Sequence, residues 1–414
     1  MTAIVANILS FLASKERDIL ALTEALIAAP SPNPGGNELV AAAVIQSALG
    51  QLGLPKAEVL AGDPNRPNLM LRLDAAQPGP HLAICGHLDT KPVGDAASDW
   101  RTDPFTPTVE GDRLFGLGAT DMKGAVAAML FAAAAYAAVA NQAAGSLTLL
   151  LTADEEYGSL HGAAYLARSG ALAGIDAIVL GEPCGLTREW EAIRTVSRGF
   201  CGFEVHVEGT QTHSSISDAL PSINGIEAMA RILVALRREL RPRFPIHPLC
   251  PTGPTINLGV KVLGGVTYGV LPGHAEFWSD IRTTPGMTFE ALRHDLEAAL
   301  ARAAPEAGGA KVKLVFPPNL AWVDATEISA DHPVTRAVQA AAARVLGAAP
   351  PLALFHGATD AWAFQGIGGV PTLAAFGPGQ LPLAHGPNEW VSIPSLLQAS
   401  QMYALTALNF GQEQ

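Results

Sequence analysis

Three short runs constrain this chain more than any other feature: His81–Cys85, Leu147–Leu151 and Ala177–Leu180. Each reads as a buried strand. Each then ends in residues that a hydrophobic interior rejects. The first leads into Gly86-His87-Leu88-Asp89-Thr90 and the third into Gly181-Glu182-Pro183. The second leads into Thr152-Ala153-Asp154-Glu155-Glu156-Tyr157-Gly158, with three carboxylates in a row. Adjacent glutamates repel, and burying a carboxylate costs on the order of several kcal/mol unless it is paired or bound to metal. A polar turn capping a strand explains one such ending. Its repetition asks for a chemical reason.

Helical spacing fills the chain between these strands, which makes a layered α/β fold. Apolar positions predict a helix over 10–29, stopped by Pro30-Ser31-Pro32-Asn33-Pro34-Gly35-Gly36, and a second over 38–52. A strand is expected over 68–73 and a helix around 159–169. Sixteen residues from Ala125 to Ala140 carry no charge. A spanning helix needs about 20, so this run is expected to be a buried core helix. From 196 to 316 the pattern changes to strand 200–208, helix 222–240, strand 255–262, strand 274–282, helix 287–303, strand 311–316. That β-α-β-β-α-β order is ferredoxin-like. It predicts an inserted α+β domain over 196–316 within an α/β domain made of 1–195 and 317–414. A helix over 333–347 and a strand over 371–376 complete the second part.

Side chains alternate along an extended segment. His87 and Asp89 therefore share a face, and Asp89 can accept the free ring N–H of His87, as a carboxylate does behind a metal-bound imidazole. The same alternation would turn Glu155 and Glu156 in different directions. Asp121, in Gly116-Leu117-Gly118-Ala119-Thr120-Asp121-Met122-Lys123-Gly124, sits where a helix begins and the dipole favours an anion. His385 follows the last apolar strand. Sites in open α/β sheets form at the carboxyl ends of strands. His87, Asp121, Glu155, Glu156, Glu182 and His385 are six potential ligands at such places. Two histidines with carboxylates and no thiolate suit zinc, with cobalt and manganese left open. A carboxylate beyond the ligand count can take the proton of an activated water.

Formal charge is 26 − 38 = −12, which argues against nucleic acid or an anionic membrane as partner. Cys85, Cys184, Cys201 and Cys250 lack the spacing of a disulfide framework or a thiolate zinc site. No secretion signal is read at the N-terminus, and a cytoplasmic location is expected. His81, His161, His206, His247, His274, His294, His332 and His356 lack a ligand context and are expected to lie at the surface or make ordinary hydrogen bonds.

The motifs together resemble the M20 family of metallopeptidases and amidohydrolases, which includes acetylornithine deacetylases, succinyl-diaminopimelate desuccinylases, aminoacylases and glutamate carboxypeptidases. Besides the segments quoted, Asp154 to Ser159, Arg198-Gly199, Asp280-Ile281-Arg282 and Ala384-His385-Gly386-Pro387-Asn388-Glu389 carry the likeness. The resemblance implies two divalent metal ions, with His87 and Glu182 on one, Glu156 and His385 on the other, and Asp121 between them, followed by a cis peptide to Met122. It implies that Asp89 orients His87 and that Glu155 is the general base. The inserted domain would be a lid and homodimerisation domain. Its His213 would stabilise the intermediate, and its Asn257 and Arg282 would bind a substrate carboxylate, with Gly377 and Gly379 lining the cleft. The activity implied is hydrolysis of an N-acyl amino acid or related small carboxylate. A carboxypeptidase or dipeptidase, a hydrolase of a carbamoyl or aromatic-amine substrate, and a non-catalytic metal-binding protein are the alternatives. Lys91, Leu117 and Cys184 depart from residues usual in the family, and Lys91 and Cys184 lie close enough to ligands to alter substrate choice.

Overall fold

A computed structural model describes residues 2–318 and 320–412. The chain divides into two compact units. The first comprises the chain up to Val196, Glu327–Phe355, and the chain from Thr359 on.

The first unit is built on a six-stranded sheet in the order Glu58–Leu60, Asn68–Asp74, Ala144–Thr152, Gln77–His87, Ala177–Leu180, Thr372–Leu373. The last four strands run parallel and the first two pair antiparallel, so the sheet is mixed. Helices cover both faces. Leu82, Ile84, Leu147 and Leu149 join one core with the helices Gly124–Val139, Pro333–Leu346 and Ile393–Phe410. Ala83, Cys85, Leu150 and Ile178 point the other way, against Ala163–Ser169 and Ala361–Gly366. This alternation between two apolar layers is why the three runs carry no polar period.

The uncharged run forms the helix Gly124–Val139. The segment Ala119–Gln142 is long and apolar enough to cross a bilayer, but its most apolar window is 78% buried inside the unit. Small alanines let the helix lie close on the sheet.

The expected helix over 10–29 is instead two, Thr2–Ala13 and Glu16–Ile27. Its break lies where Ser14 Oγ bonds the Phe11 carbonyl (2.7 Å) and Lys15 N–H turns back to Leu12 (2.9 Å). Serine competes for backbone carbonyls in this way without any Gly or Pro to mark it. The strand expected over 371–376 is only Thr372–Leu373, and Gly377–Gln380 pairs separately with Pro183–Gly185.

The second unit comprises Ser197–Thr326 and His356–Ala358. Its antiparallel sheet runs in the order Thr255–Gly264, His274–Thr283, Gly199–Glu208, Lys311–Val315. The helices Gly225–Glu239 and Phe289–Ala303 pack on one face around Phe203, Val205, Phe277 and Ile281. The expected end at 316 falls short. Past Lys311–Val315 the chain turns back, and Leu320 and Val323 bond Gly202 and Phe200 of the central strand.

Candidate metal and catalytic site

Parallel pairing brings the strand ends of the first unit to one edge. His87 stands level with Thr152 and Cys85 level with Leu180, so the residues just beyond them converge. Asp121 arrives from a different direction. It lies three residues before the helix Gly124–Val139, in non-helical backbone (φ −127°, ψ 89°). Its peptide bond to Met122 is cis.

Asp121 sits between two imidazoles. Its Oδ1 lies 3.0 Å from His87 Nε2 and its Oδ2 lies 3.2 Å from His385 Nε2. Glu182 Oε1 stands 3.8 Å from His87 Nε2. Glu156 Oε2 stands 3.1 Å from His385 Nε2. Ligand atoms of His87, Asp121 and Glu156 lie within 4.8 Å of one another, and so do those of His87, Glu155 and Glu182. All six candidate ligands are therefore brought together. His87, Asp121, Glu156 and Glu182 are buried, whereas His385 is exposed and held at φ +62°.

The electrostatics are those of a crowded acidic site. Burial drives the Glu182 carboxyl well above its ordinary range, and the charge of Asp121 adds to it. Burial and Glu182 do the same to Glu155. Partial desolvation pulls His385 down, but its bonds to Asp121 and Glu156 prevail and raise it to about 11. Burial opposes protonation of His87 too, yet Asp121 and Asp89 hold it well above the usual imidazole range.

The Glu155–Glu156 pair is not extended. Asp154 has φ +65° and Glu155–Tyr157 form a single 3-10 turn. Alternation therefore does not separate the two carboxylates, and the turn does. Asp89 caps it, with Oδ1 accepting from Glu155 N (3.2 Å) and Oδ2 from Glu156 N (3.1 Å). Asn33 Nδ2 also donates to Asp89, at 2.8 Å. The Asp89 carboxylate is 3.5 Å from His87 Nδ1, while its main-chain oxygen is nearer, at 3.0 Å. The expected contact is thus shared with the backbone carbonyl. Burial would raise the Asp89 carboxyl, but His87, Asn33 and the backbone N–H groups keep it below its ordinary value.

Several functional neighbours were not legible in the sequence. Arg66 holds Glu38 and Asp154 in a buried ion network beneath the turn. Glu389 accepts from the backbone N–H of Thr120 (2.8 Å), Asp121 (2.9 Å) and Gly118 (3.1 Å), and so fixes the loop that presents Asp121. Burial and the charge of Asp121 raise the Glu389 carboxyl to about 8 against the pull of those N–H groups. Lys91 Nζ lies 3.2 Å from Glu156 Oε2 and also donates to the Glu156 carbonyl. Only the motif around Glu389 and the unusual residue at Lys91 hinted at any of these.

Gly377 and Gly379 lie in this unit because close approach demands them. A Cβ on Gly377 would overlap the Gly181 carbonyl oxygen, and one on Gly379 (φ +91°) would come 2.6 Å from Thr120 Oγ1. His213, Asn257 and Arg282 belong to the second unit. His213 is exposed, and its Nδ1 accepts from Ser215 N at 3.2 Å. Asn257 donates to Asp280 (2.9 Å), and the Arg282 guanidinium lies 3.4 Å from Asp280 and 5.0 Å from the centre of the Phe200 ring.

Known proteins resemble this chain in sequence and in fold. The model of peptidase family M20/M25/M40 matches residues 83–409. A succinyl-diaminopimelate desuccinylase of Methylocella silvestris is 32% identical over 348 residues, covering 82% of this chain and 85% of that protein. Among solved structures, the di-peptidase Dug1p of Saccharomyces cerevisiae superposes with a TM-score of 0.82 at 16% identity over 100% of both chains. A Bacillus subtilis protein described as a dinuclear metal-binding peptidase of the M20 family has a TM-score of 0.67 at 18% identity, covering 96% of this chain and 98% of that one.

Proposed function

We propose, from the premise that this chain belongs to peptidase family M20/M25/M40, that it hydrolyses the amide bond of an N-acyl amino acid, with a succinylated amine as the leading candidate. The observation that carries the reading is Asp121 held between His87 and His385, with Glu156 and Glu182 alongside. The donor set fits a pair of divalent ions. Two imidazoles and three carboxylates face one space, and the acids there repel one another unless a cation offsets their charge. His87, Asp121 and Glu182 would hold one ion, and Asp121, Glu156 and His385 the other. Zinc suits these nitrogen and oxygen donors, and cobalt or manganese can replace it. Bound there, the ions would supply Lewis acidity and lower the pKa of water.

The chain's own residues do the rest. Glu155 accepts no hydrogen bond from a described side chain, and it shares a cluster of ligand atoms with His87 and Glu182. Its carboxylate takes a proton from the attacking water and passes it to the leaving amine. Asp89 holds His87 and the Glu155–Glu156 turn in one arrangement, a positioning role. Lys91 puts an ammonium beside Glu156, where it can pair with an acidic acyl group. Arg282 and Asn257 are assigned to a substrate carboxylate as the resemblance implies, because the guanidinium fork suits that group.

The second unit is further proposed to form a homodimer contact. Its edge strand Thr255–Gly264 exposes Val260, Val262 and Leu263, and open strand edges invite pairing. Cys85, Cys184 and Cys201 are free and buried, which suits a reducing cytoplasm.

A substrate panel with zinc-loaded protein tests the activity. Release of amine from N-succinyl and N-acetyl amino acids, without cleavage of dipeptides, is expected. Cleavage of dipeptides alone would replace this reading with the dipeptidase one.

A further inference from the structure

The second unit carries a cluster that the hydrolytic reading does not use. In its sheet, His206 stands opposite Glu276 and Glu208 opposite His274. Residues two apart on a strand share a face. Glu204, His206, His274, Glu276 and Trp278 therefore project from the face that the two helices leave open, while Phe203, Val205, Ala275 and Phe277 turn into the core. His206 Nδ1 is 3.3 Å from Glu276 Oε2, and His274 Nε2 is 3.2 Å from that same oxygen. The three ligand atoms lie within 4.8 Å of one another. The sequence expectation of ordinary roles for His206 and His274 missed this because they are 68 positions apart and meet only through strand pairing.

We propose that His206, His274 and Glu276 form a binding site for a divalent transition-metal ion, distinct from the ligands of the first unit. Two orienting contacts favour a metal site over incidental pairing. His206 Nε2 lies 2.7 Å from Glu204 Oε2, so a carboxylate stands behind the ring and leaves Nδ1 facing the cluster. Such a carboxylate fixes the tautomer of a ligating imidazole and strengthens it as a donor. Trp278 Nε1 donates to Glu276 Oε1 at 3.0 Å, which leaves Oε2 turned toward the two rings.

Two imidazole nitrogens and one carboxylate oxygen are a zinc donor set with a fourth position open. Magnesium and calcium, which prefer all-oxygen cages, are disfavoured. The side chain of His274 is 53% exposed, so an ion can enter from solvent. Lys313 stands opposite His206 on the other neighbouring strand, but it is exposed and can direct its ammonium outward. A bound ion would tie the strands Gly199–Glu208 and His274–Thr283 together.

The test is equilibrium dialysis of the full chain against Zn²⁺ with the bound metal counted. The His206→Ala/His274→Ala variant is expected to hold one zinc fewer than the parent and to keep its hydrolytic activity. Equal zinc content in the two proteins overturns the site. Glu204→Gln removes no ligand and is expected to weaken that zinc about tenfold; unchanged affinity would overturn its orienting role. His274→Gln, at the most exposed position, gives the same loss of one zinc should the double variant fail to fold.

Discussion

Removing the Arg66 cation tests how the turn that carries Glu155 and Glu156 is held. Arg66 Nε lies 2.7 Å from Glu38 Oε2, and its Nη2 lies 2.7 Å from Glu38 Oε1 and 2.9 Å from Asp154 Oδ1. The side chains of Glu38 and Asp154 are 0% and 3% exposed. Arg66→Met keeps much of the apolar stem but leaves two buried carboxylates without their cation. Breaking a buried pair in this way costs about 3–5 kcal/mol.

The sign of the pH dependence follows from Glu38. Burial already pushes its carboxyl above the ordinary 4.5, and the bonds to Arg66 partly offset that. Without Arg66 the upward shift grows. A carboxyl raised on folding costs nothing below its unfolded value, and the penalty builds as pH rises through the folded value. Urea unfolding of parent and variant at pH 5 and pH 8 measures this. The deficit should be about 3–5 kcal/mol at pH 8 and smaller by at least about 1.4 kcal/mol at pH 5, the worth of one pKa unit. A deficit below about 1 kcal/mol at pH 8, or one that grows on acidification, refutes the reasoning. Hydrolysis should fall as well, because the Asp154 carboxylate accepts from His161 N (3.1 Å) and its main-chain carbonyl from Ser159 N (2.7 Å), so that Asp154 shapes the turn.

Three further outcomes are expected. Glu155→Gln should lower kcat by about 10²–10⁴-fold with the bound-metal count unchanged; activity above a tenth of the parent's would remove Glu155 from proton transfer. In Gly377→Ala the new Cβ meets the Gly181 backbone, so the segment bearing Glu182 must shift. A loss of at least about 1–3 kcal/mol in stability and weaker metal binding by dialysis are expected, and wild-type values for both would contradict the close approach. Lys91→Met should lower kcat/KM for N-succinyl substrates about 10- to 100-fold relative to N-acetyl ones, the worth of a charge-assisted hydrogen bond. An equal loss on both would detach Lys91 from the acyl carboxylate.

Most of the scaffold was legible because burial on two faces writes itself into sequence as short unbroken apolar runs. The residues after Cys85, Leu151 and Leu180 stood out because carboxylates there contradict the runs they end. Tertiary pairings had no such trace. Arg66 meets Glu38 across 28 positions and Asp154 across 88, and no local period marks either. The turn at Glu155–Tyr157 was read as extended because its Ala153-Asp154 entry carries no Gly or Pro; Asp154 itself takes the positive φ, which Asp tolerates better than most residues. The split of the first helix at Ser14 was hidden for a similar reason.

The grip of Glu389 on the loop of Asp121 bears on the order in which the protein can mature. The residues that meet at the site enter the chain over a long interval, from His87 to His385, and the loop that carries Asp121 is fastened only when Glu389 arrives. Until then a growing chain holds Asp121, Glu155, Glu156 and Glu182 without the second imidazole. The helix Ile393–Phe410, which seals the core against Gly124–Val139, comes later still. Truncated products ending before 385 would thus present an acidic, unfinished centre that takes up metal weakly. A centre with every candidate ligand in place is thus expected only in chains extended past His385 and Glu389.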